Sequence, residues 1–392
     1  MNTINDLNIE NKKVIIRCDF NVPIKDGKIV DDTRIKESLE TIKYCLKKNC
    51  KVILLSHLGR IKEEKDLEKN NLSPVAKDLS KLLNKKIIFS EKTKGKELEE
   101  KIENMNYGDI LLIQNTRYED LEGQKESKNN SELGKYWASL GDIFINDAFG
   151  TAHRAHASNV GIASHLPSAL GFLIEKELKA LSTLEKPAHP FIVILGGAKV
   201  VDKIGVIKRL VTKADKILIG GGMAFTFLKA KGYEIGKSIL DEGSLAFCKE
   251  VLKDYSEKII LPVDFAISTE YSNSGIYQEK DIENFAKNEI GLDIGSKTRK
   301  LFEKHIEKAA IVMWNGPLGV YEFDKYRKNT DEILKYLVKN KIKTILGGGD
   351  IVAAATTAGY KEKIYHASTG GGATLEYLEG KKLPGIEVIR RK

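Results

Sequence analysis

The stretch FIVILGGAK (191–199) runs from five apolar residues into two glycines and a lysine. The same design recurs in the second half of the chain, in ILIGGGMAF (217–225), IVMWNGPLG (311–319), TILGGGD (344–350) and YHASTGGG (365–372). Each apolar run stops at glycine, where a helix-like pattern follows. Ligands of open α/β sheets bind beyond the carboxyl ends of the strands, and glycine lets backbone N–H groups approach a phosphate closely. These runs therefore predict strand ends that line an anion site.

The first half of the chain ends its apolar runs in arginine, histidine, amide and carboxylate side chains instead. The runs are VIIRCDFN (14–21), VILLSHLGR (52–60), ILLIQNTR (110–117) and FINDAFGTAHRAH (144–156). Arginine binds an acid through paired hydrogen bonds, and several converging arginines repel one another unless an anion fills the space. We therefore expect two anionic ligands, one held by backbone amides and one by guanidinium groups.

A chain of 392 residues exceeds the size at which a single core keeps growing, which predicts two domains. Short β-branched strands alternate with amphipathic stretches, as where 31–49 precedes the strand VILLS. This rhythm predicts parallel sheets covered by helices on both faces. The helical segment 174–186 is the expected connector between the domains.

The formal net charge of +9 does not by itself indicate nucleic-acid binding. Lysines are mixed with glutamates, as in EKTKGKELEEK, which is typical of solvated helix faces, and no nucleic-acid-binding motif accompanies them. The chain has no apolar run of about 18 residues, and its four cysteines are scattered without metal spacing. We expect no nucleic-acid or membrane partner and a reduced, cytoplasmic location.

Three motifs of the glycine half carry candidate chemistry. In LGGAKVVDKI (195–204), Lys199 and Lys203 are four residues apart, and we expect one helical face to direct both at a phosphate chain, although a surface role for Lys203 stays open. Asp350 follows GGG at an expected helix start, where it could cap the helix or hold Mg²⁺. In STGGGATLEYL (368–378), Ser368 and three glycines open a helix whose start would bind an anion.

Several catalytic motifs are missing from the sequence. It contains no GxxxxGK[ST], no GxGxxG and no GxSxG. The missing GxGxxG argues against a dehydrogenase with two dinucleotide-binding domains. His153 and His156 lack a neighbouring carboxylate cluster, so we expect a structural or substrate-orienting role for them, not a metal site.

Eight ordered segments resemble phosphoglycerate kinase, and the resemblance runs from about residue 3 to the end. They are RCDFNVP (17–23), SHLGR (56–60), NDAFGTAHRAH (146–156), LGGAKVVDKI (195–204), GGGMAFTF (220–227), WNGPLGVYE (314–322), GGGD (347–350) and STGGGATLEYLEGKKLPG (368–385). The resemblance implies two doubly wound parallel-sheet (Rossmann-like) α/β domains in a bilobal enzyme. Residues 1–172 would bind phosphoglycerate, 173–376 would bind nucleotide, and 377–392 would return to the first domain.

The resemblance also implies the reaction. The family transfers a phosphoryl group between 1,3-bisphosphoglycerate and ADP, giving 3-phosphoglycerate and ATP, with Mg²⁺. It implies a cytoplasmic monomer of glycolysis, with direct in-line transfer and domain closure about hinges near 170–190 and 360–380. A non-catalytic sugar-phosphate and nucleotide sensor is the alternative, which the intact GGAK, GGGD and STGGG segments disfavour.

Site residues carry over from the family to matching positions of this sequence. The phosphoglycerate site would comprise Asp19, Asn21, Arg34, His57, Arg60, Arg117 and Arg154. The nucleotide site would comprise Gly197, Lys199, Lys203, Gly222, Asn315, Pro317, Glu322, Gly349, Asp350, Ile351 and Ser368, with Asp350 as the metal ligand. Arg34, Lys199, Gly371 and Gly372 would act on the transferring phosphoryl group.

Overall fold

The chain passes from one folding unit to another within a single helix and returns near its end. In the computed structural model, which describes residues 1–389, the first unit is Met1–Lys179 together with the described residues from Lys382. The second unit is Ala180–Lys381. The first change falls inside the helix Phe172–Ser182, between Lys179 and Ala180, whereas the sequence analysis places the boundary between residues 172 and 173. The described residues from Lys382 belong to the first unit, whereas the sequence analysis places the start of the return at residue 377.

The four polar-ended apolar runs of the first unit supply four strands of a six-stranded parallel sheet, with strand order β5-β6-β4-β1-β7-β8. The strands of this sheet are β1 (Lys13–Arg17), β4 (Lys51–Leu55), β5 (Ile87–Ser90), β6 (Ile110–Ile113), β7 (Ile143–Asn146) and β8 (Ser168–Leu170). A separate hairpin consists of β2 (Ile24–Lys25) and β3 (Lys28–Ile29). Strands β4, β6 and β5 lie on one side of β1, and β7 and β8 lie on the other. The order reverses between β1 and β7, which is where an open sheet offers a ligand crevice.

The residues of the central strands are buried without alternation, which indicates that both faces of this sheet are covered by helices. The helices are α1 (Thr33–Glu37), α2 (Leu39–Lys47), α3 (Lys65–Lys69), α4 (Ser73–Leu83), α5 (Lys96–Glu103), α6 (Ser131–Ser139) and α7 (Phe172–Ser182). The single helix expected over 31–49 is divided at Ser38, whose N–H bonds to Ile35 O in a tighter turn. Ile35 and Ile42 nevertheless both enter the core, as the spacing predicts.

The second unit repeats the design with strand order β11-β10-β9-β15-β16-β17, again all parallel. Its strands are β9 (Phe191–Leu195), β10 (Lys216–Ile219), β11 (Ile259–Ile260), β12 (Asp264–Ser268), β13 (Gln278–Asp281), β14 (Ile290–Ile294), β15 (Ile311–Asn315), β16 (Thr344–Leu346) and β17 (His366–Ala367). The order reverses between β9 and β15. A small antiparallel sheet, β13-β12-β14, adds an element that the βαβ rhythm did not predict.

Helices of the second unit follow the strand ends closely. They are α8 (Ile204–Leu210), α9 (Met223–Ala230), α10 (Leu245–Asp254), α11 (Ser296–Ile306), α12 (Lys328–Lys339), α13 (Gly349–Thr357) and α14 (Gly372–Leu378), and α15 (Pro384–Glu387) closes the described chain in the first unit. Gly385 on α15 donates its N–H to Ala152 O (2.9 Å), and its carbonyl accepts from Asn146 Nδ2 (2.8 Å). No helix within residues 1–389 has the length and apolar content to span a membrane.

Glycine at the order reversal of the second sheet allows two loops to touch. Gly196 donates its N–H to Asn315 O (2.8 Å), and a Cβ on Gly196 would lie 2.0 Å from the carbonyl oxygen of Pro317. A side chain therefore cannot be added without separating the loops that follow β9 and β15. This contact positions everything that both loops carry.

We predict that Gly196→Ala lowers the free energy of unfolding of the second unit by about 1–3 kcal/mol, the usual cost of an overpacked site. Urea unfolding followed by circular dichroism measures this. Gly243→Ala is the matched control, because its nearest neighbour would be Asp241 Oδ1 at 3.8 Å, and it should change stability by less than about 0.5 kcal/mol. Equal stability of the two variants would contradict the packing role of Gly196.

Candidate functional site

Asp19, Asn21 and Arg34 are brought together beyond the end of β1. Asp19 is buried, and its Oδ2 accepts a hydrogen bond from Arg34 Nη1 at 2.7 Å. Its Oδ1 accepts from Asn21 N at 3.2 Å. The Arg34 side chain keeps 35% of its surface exposed, so its guanidinium has room for a second partner.

The loops after β4 and β6 are fastened to each other by Asn115. Its Oδ1 accepts from Leu58 N (3.1 Å) and its Nδ2 donates to Leu58 O (2.7 Å). Asn21 adds a link to the loop after β1, since its Oδ1 accepts from Gly59 N at 2.9 Å. Three loops from neighbouring strands are thus held as one surface, which fixes the residues on them before any ligand arrives.

Arg117 is buried at this surface and has an unused donor. One guanidinium nitrogen donates to Gly59 O, while Nε is buried and has no hydrogen-bond partner within the described residues. A buried donor without a partner costs free energy, and an acidic ligand would satisfy it. This is the kind of site that the arginine pattern predicts.

Arg17 lies beneath the same surface and is completely buried at the last position of β1. Its Nε donates to Ser158 Oγ at 2.8 Å, and its Nη1 donates to Cys18 O at 2.5 Å. Its Nη2 lies 3.4 Å from Nδ1 of His57. A positive charge therefore sits directly behind a predicted ligand-binding histidine.

Six residues form what we call the basic cluster: Arg17, Arg34, His57, Arg117, Arg154 and His156. Burial, and then the positive charges of Arg17 and Arg117, hold the pKa of His57 well below its usual value. The same causes lower the pKa of His156 to about 3. Both rings are therefore neutral near neutral pH, and the arginines carry the positive charge of the cluster.

Arg60 stands further out than the sequence suggests, whereas Arg154 stays within electrostatic reach of the cluster. Both are exposed. The Arg154 charge still acts on Arg117 and His156, and its Nε donates to His153 Nε2 at 3.1 Å. The side chain of Arg60 forms no hydrogen bond to the cluster, so the structure brings together six of the seven predicted phosphoglycerate residues and leaves Arg60 at the edge.

In the second unit, Lys203 and Asn315 meet at the order reversal of the sheet. Lys203 is buried, and its Nζ donates to Asn315 Oδ1, while Asn315 Nδ2 donates to Gly347 O. Burial lowers the pKa of Lys203, and the charges of Asp202 and Asp350 oppose that shift. The ammonium is thus held at the strand ends, within the electrostatic reach of Asp350.

A cavity of about 500 Å³ opens beside these strand ends, entirely within the second unit. Part of its wall is apolar, including Phe225, Ile239 and Leu292. Of the predicted nucleotide residues, Gly197, Gly222, Pro317, Glu322 and Asp350 line it. A cavity that combines apolar side chains with acidic and backbone groups suits a flat aromatic base joined to a polar chain.

Gly349 and Asp350 begin α13 at the edge of this cavity. The N-cap position is Gly348, and within residues 1–389 the Asp350 carboxylate accepts no hydrogen bond, so Asp350 does not cap the helix. A Cβ on Gly349 or Gly371 would meet nothing within 4 Å, which leaves the backbone at both positions open to a ligand. Asp350 is exposed.

The side chains of Ile351 and Ser368 point into the protein. Ile351 is fully buried in the core of the second unit. Ser368 Oγ is hydrogen-bonded to Thr374 Oγ1 (2.6 Å) and accepts from Gly370 N (3.2 Å), so it holds the turn that leads into α14. Any contact of Ile351 with a ligand would involve its backbone.

A family model described as phosphoglycerate kinase matches residues 4–381. The chain is 54% identical over 391 residues to phosphoglycerate kinase of Staphylococcus epidermidis, covering 99% of both chains. It is also 54% identical over 394 residues to that of Fusobacterium nucleatum, with the same coverage. Among solved structures, phosphoglycerate kinase from Coxiella burnetii superposes with a TM-score of 0.87 at 37% identity, covering 99% of this chain and 97% of that one.

The chain belongs to the phosphoglycerate kinase family. Membership confirms the resemblance and the fold class read from the sequence, and it makes the protein a phosphotransferase with a nucleotide and a small phosphorylated acid as substrates.

The local structure around Lys199 differs from the sequence prediction. The sequence suggested that Lys199 and Lys203 share a helical face, but α8 begins only at Ile204, and a 3-10 turn covers Val201–Lys203. Lys199 lies in the exposed turn before it, whereas Lys203 is buried. The shared face is therefore wrong, and so is the surface role left open for Lys203. The backbone of Gly197 is hydrogen-bonded to other loops, since its N–H donates to Pro317 O (2.9 Å) and its carbonyl accepts from Met223 N (3.0 Å).

Three residues of this site were not predicted: Arg17, which belongs to the basic cluster, and Glu126 and Ser158, which lie behind it. Arg17 stood in the quoted run VIIRC, and a charged residue at the end of an otherwise apolar strand is the signal that could have marked it. Glu126 is completely buried, and Ser158 donates to it through both N (2.9 Å) and Oγ. Nothing in the local sequence distinguishes Glu126 from its exposed acidic neighbours.

We predict that acid destabilises the first unit partly through His156. Its folded pKa of about 3 lies below the ordinary 6.5, so the unfolded chain binds the proton first, and stability present above pH 6.5 is lost as the pH falls toward 3. Between pH 7.5 and 5.0 this amounts to about 2 kcal/mol.

Urea unfolding of His156→Gln at both pH values tests this. The variant should lose about 2 kcal/mol less than the unsubstituted protein on acidification, with exposed His165→Gln as the control. Parallel losses in His156→Gln and the unsubstituted protein would show that His156 is not held neutral by its surroundings.

Proposed function

We propose that this chain catalyses the reversible, Mg²⁺-dependent transfer of a phosphoryl group from 1,3-bisphosphoglycerate to ADP, giving 3-phosphoglycerate and ATP. Family membership over nearly the whole chain carries the proposal. The basic cluster suits the acid and phosphate groups of one substrate. The cavity beside Gly197 and Pro317 suits the nucleotide. A cytoplasmic, monomeric enzyme of glycolysis goes with this assignment.

The phosphoglycerate would be held by Asp19, Asn21, His57, Arg60, Arg117 and Arg154 together with Arg34. Arg117 supports this through its unpartnered Nε, and Arg34 through its exposed guanidinium. Arginine forks match carboxylate and phosphate oxygens in geometry as well as charge. Arg60 would have to reach in from the edge of the cluster, where it is free of hydrogen bonds to the cluster.

The nucleotide would lie along the cavity with its phosphates toward α13. Gly197, Gly222, Pro317 and Glu322 would contact the nucleoside, and Lys203 and Asn315 would order the strand ends behind the phosphates. The first amides of α13, at Gly349, Asp350 and Ile351, form a helix start, and the space beside Gly349 is open. A helix start of this kind favours an anion. Ser368 would act indirectly, through the turn that precedes Gly371 and Gly372.

The protein groups fit a Mg²⁺ ion that arrives with the nucleotide. Asp350 is an exposed carboxylate on the cavity wall, and no group of three or more metal-ligating side chains occurs within residues 1–389. Mg²⁺ commonly takes only one or two protein carboxylates and completes its shell with phosphates and water. Asp350 would hold the ion, which when bound neutralises charge on the nucleotide phosphates.

The chemistry needs alignment and charge stabilisation but no general base. The attacking group is already an anionic phosphate or carboxylate oxygen, so no proton has to be removed. Arg34, Lys199 and the amides of Gly371 and Gly372 would stabilise the charge on the equatorial oxygens during in-line transfer. The exposed turn at Lys199 leaves its ammonium free to approach a phosphoryl group.

A coupled assay tests the function. Purified protein, 3-phosphoglycerate and Mg-ATP are combined with glyceraldehyde-3-phosphate dehydrogenase, and NADH oxidation is followed. We expect turnover that requires each substrate and stops when Mg²⁺ is chelated. Folded protein that binds ATP without turnover would overturn the proposal.

We predict that Arg34→Ala lowers kcat by roughly 10³–10⁵, since an arginine on the transferring group is worth about 4–7 kcal/mol. The affinity for nucleotide should stay within about threefold, because Arg34 belongs to the other unit. Steady-state kinetics and nucleotide titration measure both quantities.

Lys36→Ala is the control for Arg34→Ala. Lys36 lies on the same helix and forms an exposed ion pair with Asp32 at 2.9 Å, so its loss should leave kcat nearly unchanged. A decrease in kcat of less than tenfold for Arg34→Ala would contradict the role of Arg34 in transfer.

We predict that Asp350→Asn raises the Mg²⁺ concentration needed for half-maximal activity about tenfold or more, because a neutral amide binds Mg²⁺ poorly. Titrating Mg²⁺ at fixed ATP measures the shift. Asp254→Asn, at the exposed end of α10, is the matched control. An unchanged Mg²⁺ dependence would remove Asp350 from the metal site.

A further inference from the structure

Glu126 is an acidic residue buried where no acid was expected. It lies between the 3-10 turn Thr116–Asp120 and α6, and none of its surface is exposed. Its Oε2 accepts from Ser158 N at 2.9 Å, and its Oε1 accepts from Ser158 Oγ. Its backbone carbonyl accepts from Ala157 N at 3.0 Å. Glu126 thus fastens the π-helical turn Ala157–Gly161, which follows Arg154 and His156 directly.

The hydroxyl of Ser158 connects this carboxylate to Arg17. A hydroxyl carries one proton and two lone pairs, so Ser158 can donate to Glu126 and accept from Arg17 Nε, which lies 2.8 Å away. Glu126 and Arg17 are both completely buried. Removing one member of a buried charge pair leaves the other uncompensated, so each holds its partner in place.

Arg17 in turn restricts His57. Its Nη2 lies 3.4 Å from His57 Nδ1, and guanidinium is only a donor. Nδ1 must therefore be the unprotonated, accepting nitrogen, and the single proton of the neutral ring resides on Nε2. No protein group within residues 1–389 bonds to Nε2, so this N–H is available to an oxyanion.

We propose that Glu126 is a positioning residue for the phosphoglycerate site: through Ser158 it orients Arg17, and Arg17 selects the His57 tautomer that donates Nε2–H to the bound acid. The inference rests on the proposed function for the identity of that acid. The hydrogen-bond chain that selects the tautomer stands on the geometry alone.

The basic groups around Arg17 explain why a negative charge is needed at position 126. An uncharged acceptor at position 126 would still receive the Ser158 amide, but it would remove the strongest counter-charge of the buried guanidinium and leave only the weaker effect of Asp19. Arg34, Arg117, Arg154 and His156 also face this region, and all of them are basic. Glu126 is the buried acid that acts on Arg17 most strongly.

Glu126→Gln and Ser158→Ala test the chain at two points. The glutamine keeps the size but loses the charge, and its amide NH₂ faces the serine hydroxyl. We expect both variants to raise the dissociation constant of 3-phosphoglycerate at least tenfold by calorimetry, with the dissociation constant of ATP changed less than twofold.

Glu119→Gln is the matched control. Glu119 is a second buried carboxylate of the same unit, but its partners are Thr93 Oγ1 (2.5 Å) and Lys94 Nζ (2.6 Å), outside the basic cluster. It should leave the affinity for 3-phosphoglycerate within about threefold. An equal loss in Glu119→Gln and Glu126→Gln would mean that any buried-charge change loosens the unit, and would overturn the proposal.

The tautomer provides a readout that a merely structural role would not move. In ¹⁵N NMR of the unsubstituted protein, His57 should show a pyridine-like Nδ1 and a protonated Nε2, with its signals assigned by their loss in His57→Gln. Glu126→Gln and Ser158→Ala should populate the other tautomer as well. A protonated Nδ1 in the unsubstituted protein, or an unchanged His57 spectrum in Ser158→Ala, would overturn the proposal.

The outcomes separate this inference from the proposed function. If Glu126→Gln does not fold, Ser158→Ala, which deletes a single hydroxyl, decides. If the unsubstituted protein shows no turnover of 3-phosphoglycerate, the function is wrong and the NMR arm still decides the tautomer. If turnover is present and both variants bind 3-phosphoglycerate normally, the function stands and the positioning role of Glu126 is wrong.

Discussion

Parallel pairing in register is the constraint on which both candidate sites depend. In the first sheet Arg17 pairs with Leu55 on one side and with Asn146 on the other, so three strands end at one level. In the second sheet Asn315 pairs with Leu195, and its neighbour Trp314 pairs with Leu346. Residues that are far apart in sequence therefore meet at the carboxyl edge of each sheet, because the pairing of the strands brings them there. The loop residues directly after each strand then set the chemistry of each site.

The glycines that mark the second unit divide into two kinds. Gly196 is needed because another loop passes within contact distance of its Cα, whereas Gly349 and Gly371 face open space. Only the second kind is directly available to a ligand, and the first kind keeps the two central loops closed on each other. The amide of Gly197 illustrates the difference, because it already donates to Pro317 O at 2.9 Å.

The alternation of strands and helices, the two units and most strand-end side chains could be predicted from the sequence, because they follow from periodicity and from the geometry of parallel sheets. Local geometry was less predictable. The start of α8 depends on loop contacts, so the relation of Lys199 to Lys203 was wrong. The antiparallel strands β12–β14 interrupt the βαβ order and leave no separate periodic signal.

Buried polar residues were the hardest to predict. Glu126 and Ser158 are hydrogen-bonded to each other although they are 32 residues apart, and Arg17, which also bonds to Ser158, is 141 residues from it. Composition assigns an acidic residue in a polar stretch to the surface, because most such residues are there. Only the tertiary structure shows that Glu126 compensates the positive charge of Arg17 at the end of β1.

The repulsion stored in the basic cluster has a thermodynamic consequence for the free protein. Arg17 and Arg117 each oppose the protonation of the other, and both oppose that of His57 and His156. Any small oxyanion in solution that relieves this repulsion binds the native state in preference to the unfolded chain and raises the midpoint of unfolding by mass action. The stability of the first unit is therefore a joint property of the polypeptide and the anions dissolved around it, and a melting temperature has meaning only together with its buffer.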